Sequence, residues 1–117
     1  MAKKINLNDY LGHSMDCTCG KEHKTNLKIV DIDKDAVSRL PKHIEALGYK
    51  KPFLVADVNT WAAAGALVAE KLDVADISYK KYIFNEKELI PDEKTLGSLM
   101  MAFSRDCDVI VAVGSGT

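Results

Sequence analysis

The sequence predicts an α/β fold in which helices flank a mostly parallel sheet. Short apolar runs alternate along the chain with segments of helical periodicity, a pattern typical of parallel strands joined by right-handed crossovers. The last apolar run, residues 108–113, lacks polar alternation and so predicts a strand that is buried on both faces. A glycine-rich turn, residues 114–117, follows it at a place where α/β proteins let backbone N–H groups approach a phosphate.

Length, composition and charge are those of one ordinary globular domain. The chain has 117 residues, of which 47% are hydrophobic and 28% charged, and its formal net charge is −1. This charge gives no electrostatic reason to expect nucleic acid or an anionic membrane as a partner. The apolar runs are far shorter than the ~20 residues of a membrane span, and the first residues contain no apolar signal core, so we expect a cytoplasmic protein. Three cysteines, an odd number, do not predict a disulfide framework.

The amino-terminal part divides into an extension and the beginning of the α/β body. Residues 1–27 are polar and irregular, and we expect them to precede a domain over residues 28–117. Residues 28–32 predict its first short strand, and Asp33 or Asp35 can cap the helix that follows. Gly48 stands where the carboxyl-terminal cap of that helix belongs. The apolar positions of this helix, spaced three, four and three, are Val37, Leu40, Ile44 and Leu47.

A second strand and helix occupy the middle of the chain. Residues 53–56 predict a strand that ends at Asp57. Asn59 or Thr60 can then cap a helix over residues 61–72. Its expected buried face consists of Trp61, Ala64, Val68 and Leu72.

A third strand and helix precede the closing strand. Residues 79–84 predict the strand, and Lys80 and Lys81 indicate that it is an exposed edge or has an exposed face. Pro91-Asp92-Glu93 is typical of a helix start. The buried stripe expected for that helix consists of Leu96, Leu99, Met100 and Phe103.

Two segments follow strand ends and are candidates for one ligand site. Ligands of open parallel sheets bind beyond the carboxyl ends of the strands, where Asp57 and residues 114–117 both lie. A carboxylate in this position can accept hydrogen bonds from both hydroxyls of a ribose, and it repels a 2′-phosphate, which favours NAD over NADP. The alternative for Asp57 is a helix cap. The alternative for the glycine-rich segment is a simple strand-end turn.

The segment Cys17-Thr18-Cys19-Gly20-Lys21-Glu22-His23 is a candidate structural zinc site. Cys17, Cys19 and His23 supply two thiolates and an imidazole within seven positions, and Gly20 permits a tight turn between them. The alternative is an exposed polar hairpin with reduced cysteines. Candidates for a fourth ligand are His13, Asp16 and Glu22 nearby and Cys107 at a distance.

Several of these residues together resemble one enzyme superfamily. Asp57-Val58-Asn59-Thr60, with Gly65 downstream, is similar to the first cofactor strand and turn of the iron-containing alcohol dehydrogenase and dehydroquinate synthase superfamily. Residues 91–95 and 108–117 resemble its phosphate-loop half, and Gly-Ser-Gly-Thr resembles its sn-glycerol-1-phosphate dehydrogenase branch. The Cys-x-Cys-Gly-x-x-His segment is similar to the amino-terminal region of some bacterial members. The resemblance covers roughly residues 28–117.

The resemblance implies a fold, an activity and a set of cofactor-binding residues. The fold is a Rossmann-like amino-terminal domain that is followed, in the family, by a helical carboxyl-terminal domain. The activity is the NAD(P)-dependent interconversion of dihydroxyacetone phosphate and sn-glycerol 1-phosphate. The residues that would bind NAD or NADP are Asp57, Asn59 and Thr60 at the adenosine, and Gly114, Ser115, Gly116 and Thr117 at the pyrophosphate.

The resemblance also implies what this stretch of sequence does not contain. The catalytic divalent metal of the family (zinc, nickel or iron) is held by an Asp and two His of the helical domain, and no residue here matches them. We therefore assign no catalytic residue, and we expect the chain to be an inactive amino-terminal fragment of a homo-oligomeric enzyme. The alternatives are another alcohol or polyol dehydrogenase, a dehydroquinate synthase-like enzyme, or a small zinc-binding interaction module.

Overall fold

A computed structural model describes residues 7–12, 14–86 and 88–114 of the chain. The chain divides into two units, Met1–Ala36 and Val37–Thr117. The expected division into residues 1–27 and 28–117 stays a prediction. None of the helices in the described ranges has the length and apolar character that crossing a membrane would require.

The first unit contains a 3₁₀ turn over Leu7–Tyr10 and a small antiparallel hairpin. The hairpin strands are β1 (Ser14–Asp16) and β2 (Glu22–Lys24), with Met15 opposite His23. The strand expected at residues 28–32 is wrong, because this segment pairs with no other described strand. Only two consecutive apolar residues stand between its charged positions, and Ile32 is 81% exposed, so the segment has little apolar surface to bury.

Helix α1 (Ala36–Ala46) begins after a turn that Asp33 closes. The Asp35 N–H donates to the Asp33 carboxylate (3.1 Å), and the Ala36 N–H donates to the Asp33 carbonyl (3.3 Å). Asp33 therefore accepts from two N–H groups just before and at the start of the helix, while the choice of cap between Asp33 and Asp35 stays open.

The other end of α1 confirms the cap expected at Gly48. Gly48 has φ +84°, and the Tyr49 N–H reaches back to the Ile44 carbonyl (3.1 Å), as in a Schellman motif. Ile44 is buried in the core, whereas Leu47, which lies beyond the helix, is 43% exposed. Two further expected face residues, Val37 and Leu40, pack against the core.

The second unit is built on a three-stranded parallel sheet. Its strands are β3 (Pro52–Asp57), β4 (Lys80–Phe84) and β5 (Val109–Ala112), in the order β4-β3-β5. This sheet with flanking helices confirms the predicted α/β class. The central strand β3 is almost entirely buried, and β4 is an edge strand as Lys80 and Lys81 indicated.

Strand β5 differs from its expectation. It lies at the other edge of the described sheet, and its residues alternate between half-buried and exposed. Val111 packs against the core, but Ile110 on the opposite face is 54% exposed. The prediction of a strand buried on both faces is therefore wrong for this chain, because burial on both faces requires cover that the described residues do not supply.

A continuous helical segment follows β3 without a loop. It consists of α2 (Val58–Thr60), a π-helical turn (Trp61–Gly65) and α3 (Ala66–Val74). Its cap is Asp57, so the expectation of a cap at Asn59 or Thr60 is wrong. The strand can pass directly into the helix because the carboxylate of its last residue, Asp57, accepts from the Thr60 N–H, which has no partner within the helix.

The two faces of the sheet are covered unequally. One face carries the core, which contains Ile44, Leu54, Val68, Ala69 and Leu72. On the other face lies α4 (Glu93–Ala102), capped by Asp92 as expected. Just after the carboxyl end of α4, the ring of Phe103 packs edge-on against that of Phe53, with 5.3 Å between the ring centroids. The buried stripe expected on α4 is wrong, because Leu96, Met100 and Phe103 are 58%, 68% and 38% exposed and Leu99 is only half-buried. Leu96 and Leu99 line a cavity that lies between this helix and the sheet.

Candidate functional site

A cavity of about 1150 Å³ lies at the carboxyl ends of the three parallel strands. Its walls are the ends of the strands and the first half of α4. This is where open α/β sheets bind their ligands. The residues that line its polar part include Asp57, Thr60, Asp92, Lys94, Thr95 and Gly114.

Asp57 and Thr60 are joined by a reciprocal capping box. The Thr60 N–H donates to Oδ1 of Asp57 (2.7 Å), and the Asp57 N–H donates to Oγ1 of Thr60 (2.9 Å). The capping role that was one alternative for Asp57 is therefore real. It uses one carboxylate oxygen only, and no described residue donates to Oδ2, so this oxygen can still accept a hydrogen bond in the cleft.

Gly114 lies at the same edge of the sheet, beside Thr60. The Val113 N–H donates to the Val55 carbonyl (2.8 Å), which keeps the chain beside β3 up to the cleft. A Cβ built on Gly114 would meet only Cγ2 of Thr60, at 3.7 Å, which is an ordinary contact. Among the described residues, neither packing nor a positive φ requires glycine here.

The structure does not show the other predicted cofactor-binding residues in the cleft. Asn59 is exposed and does not line the cavity. Ser115, Gly116 and Thr117 lie outside the described residues. The described geometry thus brings together Asp57, Thr60 and Gly114, while the assignment of all seven residues to a cofactor stays a prediction.

The first turn of α4 is part of the cleft, although none of residues 91–95, which carry part of the family resemblance, was predicted to bind the cofactor. Asp92 caps the helix by accepting from the Thr95 N–H (2.8 Å), and this hydrogen bond lowers the pKa of its carboxyl. Lys94 is the one lysine or arginine among the cavity-lining residues. The signal was available, because a helix that follows a parallel strand begins at the carboxyl edge of the sheet.

The three predicted zinc ligands converge in the hairpin of the first unit. The ligand atoms of Cys17, Cys19 and His23 all lie within 4.8 Å of one another, and Sγ of Cys19 is 3.1 Å from Nε2 of His23. Hydrogen bonding from the Cys19 backbone and side chain lowers the pKa of the Cys17 thiol. All three side chains are exposed.

The proposed fourth ligands do not join this group among the described side chains. Glu22 is exposed and lies outside the group of three. Cys107 belongs to the second unit, where it is buried and donates to the Pro52 carbonyl (3.7 Å). His13 and the side chain of Asp16 are outside the described part of the structure.

Comparison with models of protein families shows to which family the chain belongs. The family model described as iron-containing alcohol dehydrogenase matches residues 31–117, which include the whole sheet, α4 and the cleft. The chain belongs to the iron-containing alcohol dehydrogenase family. The Asp57 and Gly114 segments, which carried the resemblance, both lie within the matched region.

Curated members of this family are similar to the chain over most of its length. A glycerol-1-phosphate dehydrogenase of Halalkalibacterium halodurans, named as using NAD(P)+, is 35% identical over 87% of the chain and 27% of its own length. Proteins of the same name are 34% identical in Bacillus velezensis, over 74% of the chain and 23% of that protein, and 26% identical in Geobacillus stearothermophilus, over 95% and 28%. The chain thus spans about a quarter of the length of these relatives. No solved structure gives a significant match.

The described cleft does not fit the catalytic metal of the iron-containing alcohol dehydrogenase family. The one group of three metal-ligating side chains within the described ranges is the hairpin cluster, which lies in the other unit. No histidine lines the cavity, and its three carboxylates, Asp57, Asp92 and Glu93, belong to no group of converging metal ligands among the described residues. We therefore derive no chemical step through a metal at these residues.

Proposed function

We propose that this chain forms the cofactor-binding part of an NAD(P)-dependent oxidoreductase that interconverts dihydroxyacetone phosphate and sn-glycerol 1-phosphate. Membership of the family and the names of the relatives support the reaction class. The observation that carries the proposal is that Asp57, Thr60 and Gly114 line one cleft at the carboxyl edge of a parallel sheet. Dinucleotides bind across such an edge.

Asp57 is proposed to hold the adenosine ribose. Its Oδ1 is occupied by the Thr60 N–H, whereas Oδ2 is available to accept from a ribose hydroxyl. The capping box fixes the carboxylate, so little side-chain freedom is lost when a ligand binds. The same negative charge disfavours the 2′-phosphate of NADP, so NAD is the preferred form in this proposal.

Gly114 and the residues after it are proposed to hold the pyrophosphate. A glycine that the protein's own packing does not require permits close approach of the backbone to an anion. Lys94 is placed on the same cavity wall as the start of α4 and supplies the one cationic side chain there. When bound, the nicotinamide of the cofactor supplies hydride transfer.

The chemistry of the whole protein requires groups beyond the described cleft. We propose that the catalytic zinc, nickel or iron is held elsewhere, because the cleft residues do not form a ligand set. The 117-residue chain is accordingly expected to bind cofactor without turning over substrate. Self-association into a homo-oligomer stays a prediction.

Cofactor binding is tested by titrating the chain with NADH and NADPH. Asp57→Asn preserves a good capping residue while it removes the charge. We expect it to weaken NADH binding about tenfold, since a hydrogen bond to a charged group contributes about 1.5–3 kcal/mol. The preference for NADH over NADPH should shrink at the same time, because the charge that repels the 2′-phosphate is gone.

The matched control is Asp76→Asn, which removes an exposed carboxylate at a residue outside the cleft. Asp76 has φ +58°, a conformation that asparagine accepts. This control should leave both affinities unchanged. Equal losses in the two variants, or no NADH binding by the original chain at millimolar concentration, would contradict the proposed cofactor site.

The substrate is tested in the whole protein by cofactor oxidation. Dihydroxyacetone phosphate should support NADH oxidation, while unphosphorylated carbonyl compounds and the substrate of dehydroquinate synthase should not. Faster turnover of an alcohol or polyol pair would move the protein to another branch of the family. This outcome would leave the cofactor site intact, because the two assays measure different steps.

A further inference from the structure

The hairpin of the first unit gathers three soft metal ligands at its tip. Cys17 and Cys19 lie in the loop between β1 and β2, and His23 lies within β2 opposite Met15. Their ligand atoms all lie within 4.8 Å of one another. We propose that Cys17, Cys19 and His23 bind one Zn²⁺ ion, in a site separate from the proposed cofactor cleft and independent of it.

The distances suit a tetrahedral ion. Zinc binds sulfur at about 2.3 Å and imidazole nitrogen at about 2.0–2.1 Å, so neighbouring ligand atoms in a tetrahedron are separated by roughly 3.5–3.8 Å. In the hairpin, Sγ of Cys19 and Nε2 of His23 are 3.1 Å apart, and no pair in the group exceeds 4.8 Å. Small side-chain rotations are sufficient to close the site around an ion.

The backbone of the loop is folded in a way that produces this convergence. The Gly20 N–H donates to the Cys17 carbonyl (3.1 Å), and Gly20 has φ +81°. This left-handed conformation is easily adopted only by glycine, and it turns the chain back so that Cys19 approaches His23. The ligands are therefore brought together by main-chain geometry rather than by a chance meeting of long side chains.

The described side chains of the hairpin loop and of β2 bury little surface that could stabilise it. Each strand has three residues, and every residue from Cys17 to Lys24 is exposed. An isolated two-stranded hairpin is marginally stable in water. A metal that joins the loop to β2 would supply the cross-link that apolar burial does not supply here.

The ligand types select the class of metal. Thiolate and imidazole ligands favour zinc over magnesium and calcium, which prefer oxygen. Two thiolates and a neutral imidazole also balance the charge of Zn²⁺. The three side chains leave the fourth position of the tetrahedron to water or to another donor.

The test is a zinc titration of the reduced, metal-free full chain, followed by cobalt substitution. One Zn²⁺ per chain should bind, with release of protons from the cysteine thiols. Co²⁺ should give the visible spectrum of tetrahedral thiolate coordination. Cys17→Ser, Cys19→Ser and His23→Gln should each weaken zinc binding more than about 100-fold, since loss even of an outer-shell partner costs 10–100-fold.

Two variants control for residue type. Cys107→Ala removes the one cysteine outside the hairpin, and His43→Gln changes a histidine on α1. Both should bind zinc like the original chain. The fluorescence of Trp61, the only tryptophan, reports that the second unit stays folded in every variant.

Three outcomes would overturn the proposal. The first is an absence of stoichiometric zinc binding in the reduced chain. The second is zinc binding that the Cys17→Ser and Cys19→Ser variants retain. The third is a disulfide between the two cysteines that persists in the purified protein and whose reduction creates no metal site.

Discussion

Trp61 lies across Gly65 so closely that a Cβ on residue 65 would come within 2.6 Å of Cε3 of the indole. Gly65 has ordinary helical angles, φ −59° and ψ −42°, so glycine is not needed there for its backbone freedom. It is needed for space, because the π-helical turn from Trp61 to Gly65 carries the ring over the glycine. The ring also packs against the core of the second unit, and the Lys81 ammonium lies 4.8 Å from its centre.

Gly65→Ala is therefore expected to destabilise the protein. The added methyl group would clash with the rigid indole ring, which costs stability. The higher helix propensity of alanine offsets only part of that cost. We therefore expect a net loss of about 1–2 kcal/mol in the free energy of unfolding. Urea denaturation followed by Trp61 fluorescence measures it. The emission of the folded variant should also shift, because the ring has to move.

Gly97→Ala is the matched control for this change. Gly97 lies within α4, and a Cβ there would meet nothing within 4 Å. The same substitution should stabilise the protein by roughly 0.5–1 kcal/mol through helix propensity alone. Similar effects at the two glycines would contradict the packing role of Gly65.

The cap of the helical segment after β3 can be separated from its charge. Asp57→Ala removes the acceptor of the Thr60 N–H, and we expect it to lower the free energy of unfolding by about 1 kcal/mol. Asp57→Asn keeps an acceptor and should cost only a small fraction of that. Thermal unfolding of both variants measures the difference, and equal destabilisation would show that the negative charge, not the cap, stabilises this helix start.

Much of the fold could be predicted because its signals are local. The cap at Asp92, the glycine at residue 48 and the strand ending at Asp57 each follow from a few neighbouring residues, and the structure contains all three. A further local signal was missed. Asp57-Val58-Asn59-Thr60 and Asp92-Glu93-Lys94-Thr95 share one spacing, and in both segments the aspartate accepts from the threonine N–H three residues later. That spacing favours the helix cap that was one alternative for Asp57 over a cap at Asn59 or Thr60.

The predictions that were wrong for β5 and α4 concern burial, which depends on distant parts of the chain. The sequence of β5 is apolar enough for a buried strand, but exposure of Ile110 depends on what covers that face of the sheet. The same holds for Leu96 and Met100 on α4. In the candidate site, the approach of Gly114 to Thr60 depends on the pairing of β5 with β3, which no local pattern reveals.

The amino-terminal edge of the sheet makes stability depend on pH. Asp106 accepts hydrogen bonds from Lys51, Ser104 and Lys80, and these hold the pKa of its carboxyl well below the usual range. A folded-state pKa below the unfolded value of about 3.9 means that the unfolded chain binds more protons near that pH. This contribution to stability is therefore present above about pH 4 and is lost as the pH falls further.

Asp108 adds to the same effect. It accepts from the N–H groups of Lys50 (2.8 Å) and Lys51 (2.9 Å), which lower the pKa of its carboxyl. We expect the thermal midpoint to fall between about pH 5 and pH 2, and to fall less in Asp108→Asn, because a carboxamide has one acceptor oxygen and no charge to titrate. Differential scanning calorimetry across this range measures both curves. Parallel curves would show that Asp108 makes no such contribution.

Gly114→Ala separates a cofactor role of this residue from a structural one. The added Cβ would make only an ordinary contact with Cγ2 of Thr60 at 3.7 Å, and φ at residue 114 is not in the left-handed region, so we expect a change within about 0.5 kcal/mol in the free energy of unfolding. If the backbone at residue 114 approaches the pyrophosphate, the added methyl group should lower NADH affinity at least about tenfold. The reason is that a close approach of backbone and pyrophosphate leaves no room for a side chain. NADH titration and urea denaturation of the same preparation measure the two effects. An unchanged affinity with unchanged stability would remove Gly114 from the phosphate site while leaving the ribose role of Asp57 to its own test.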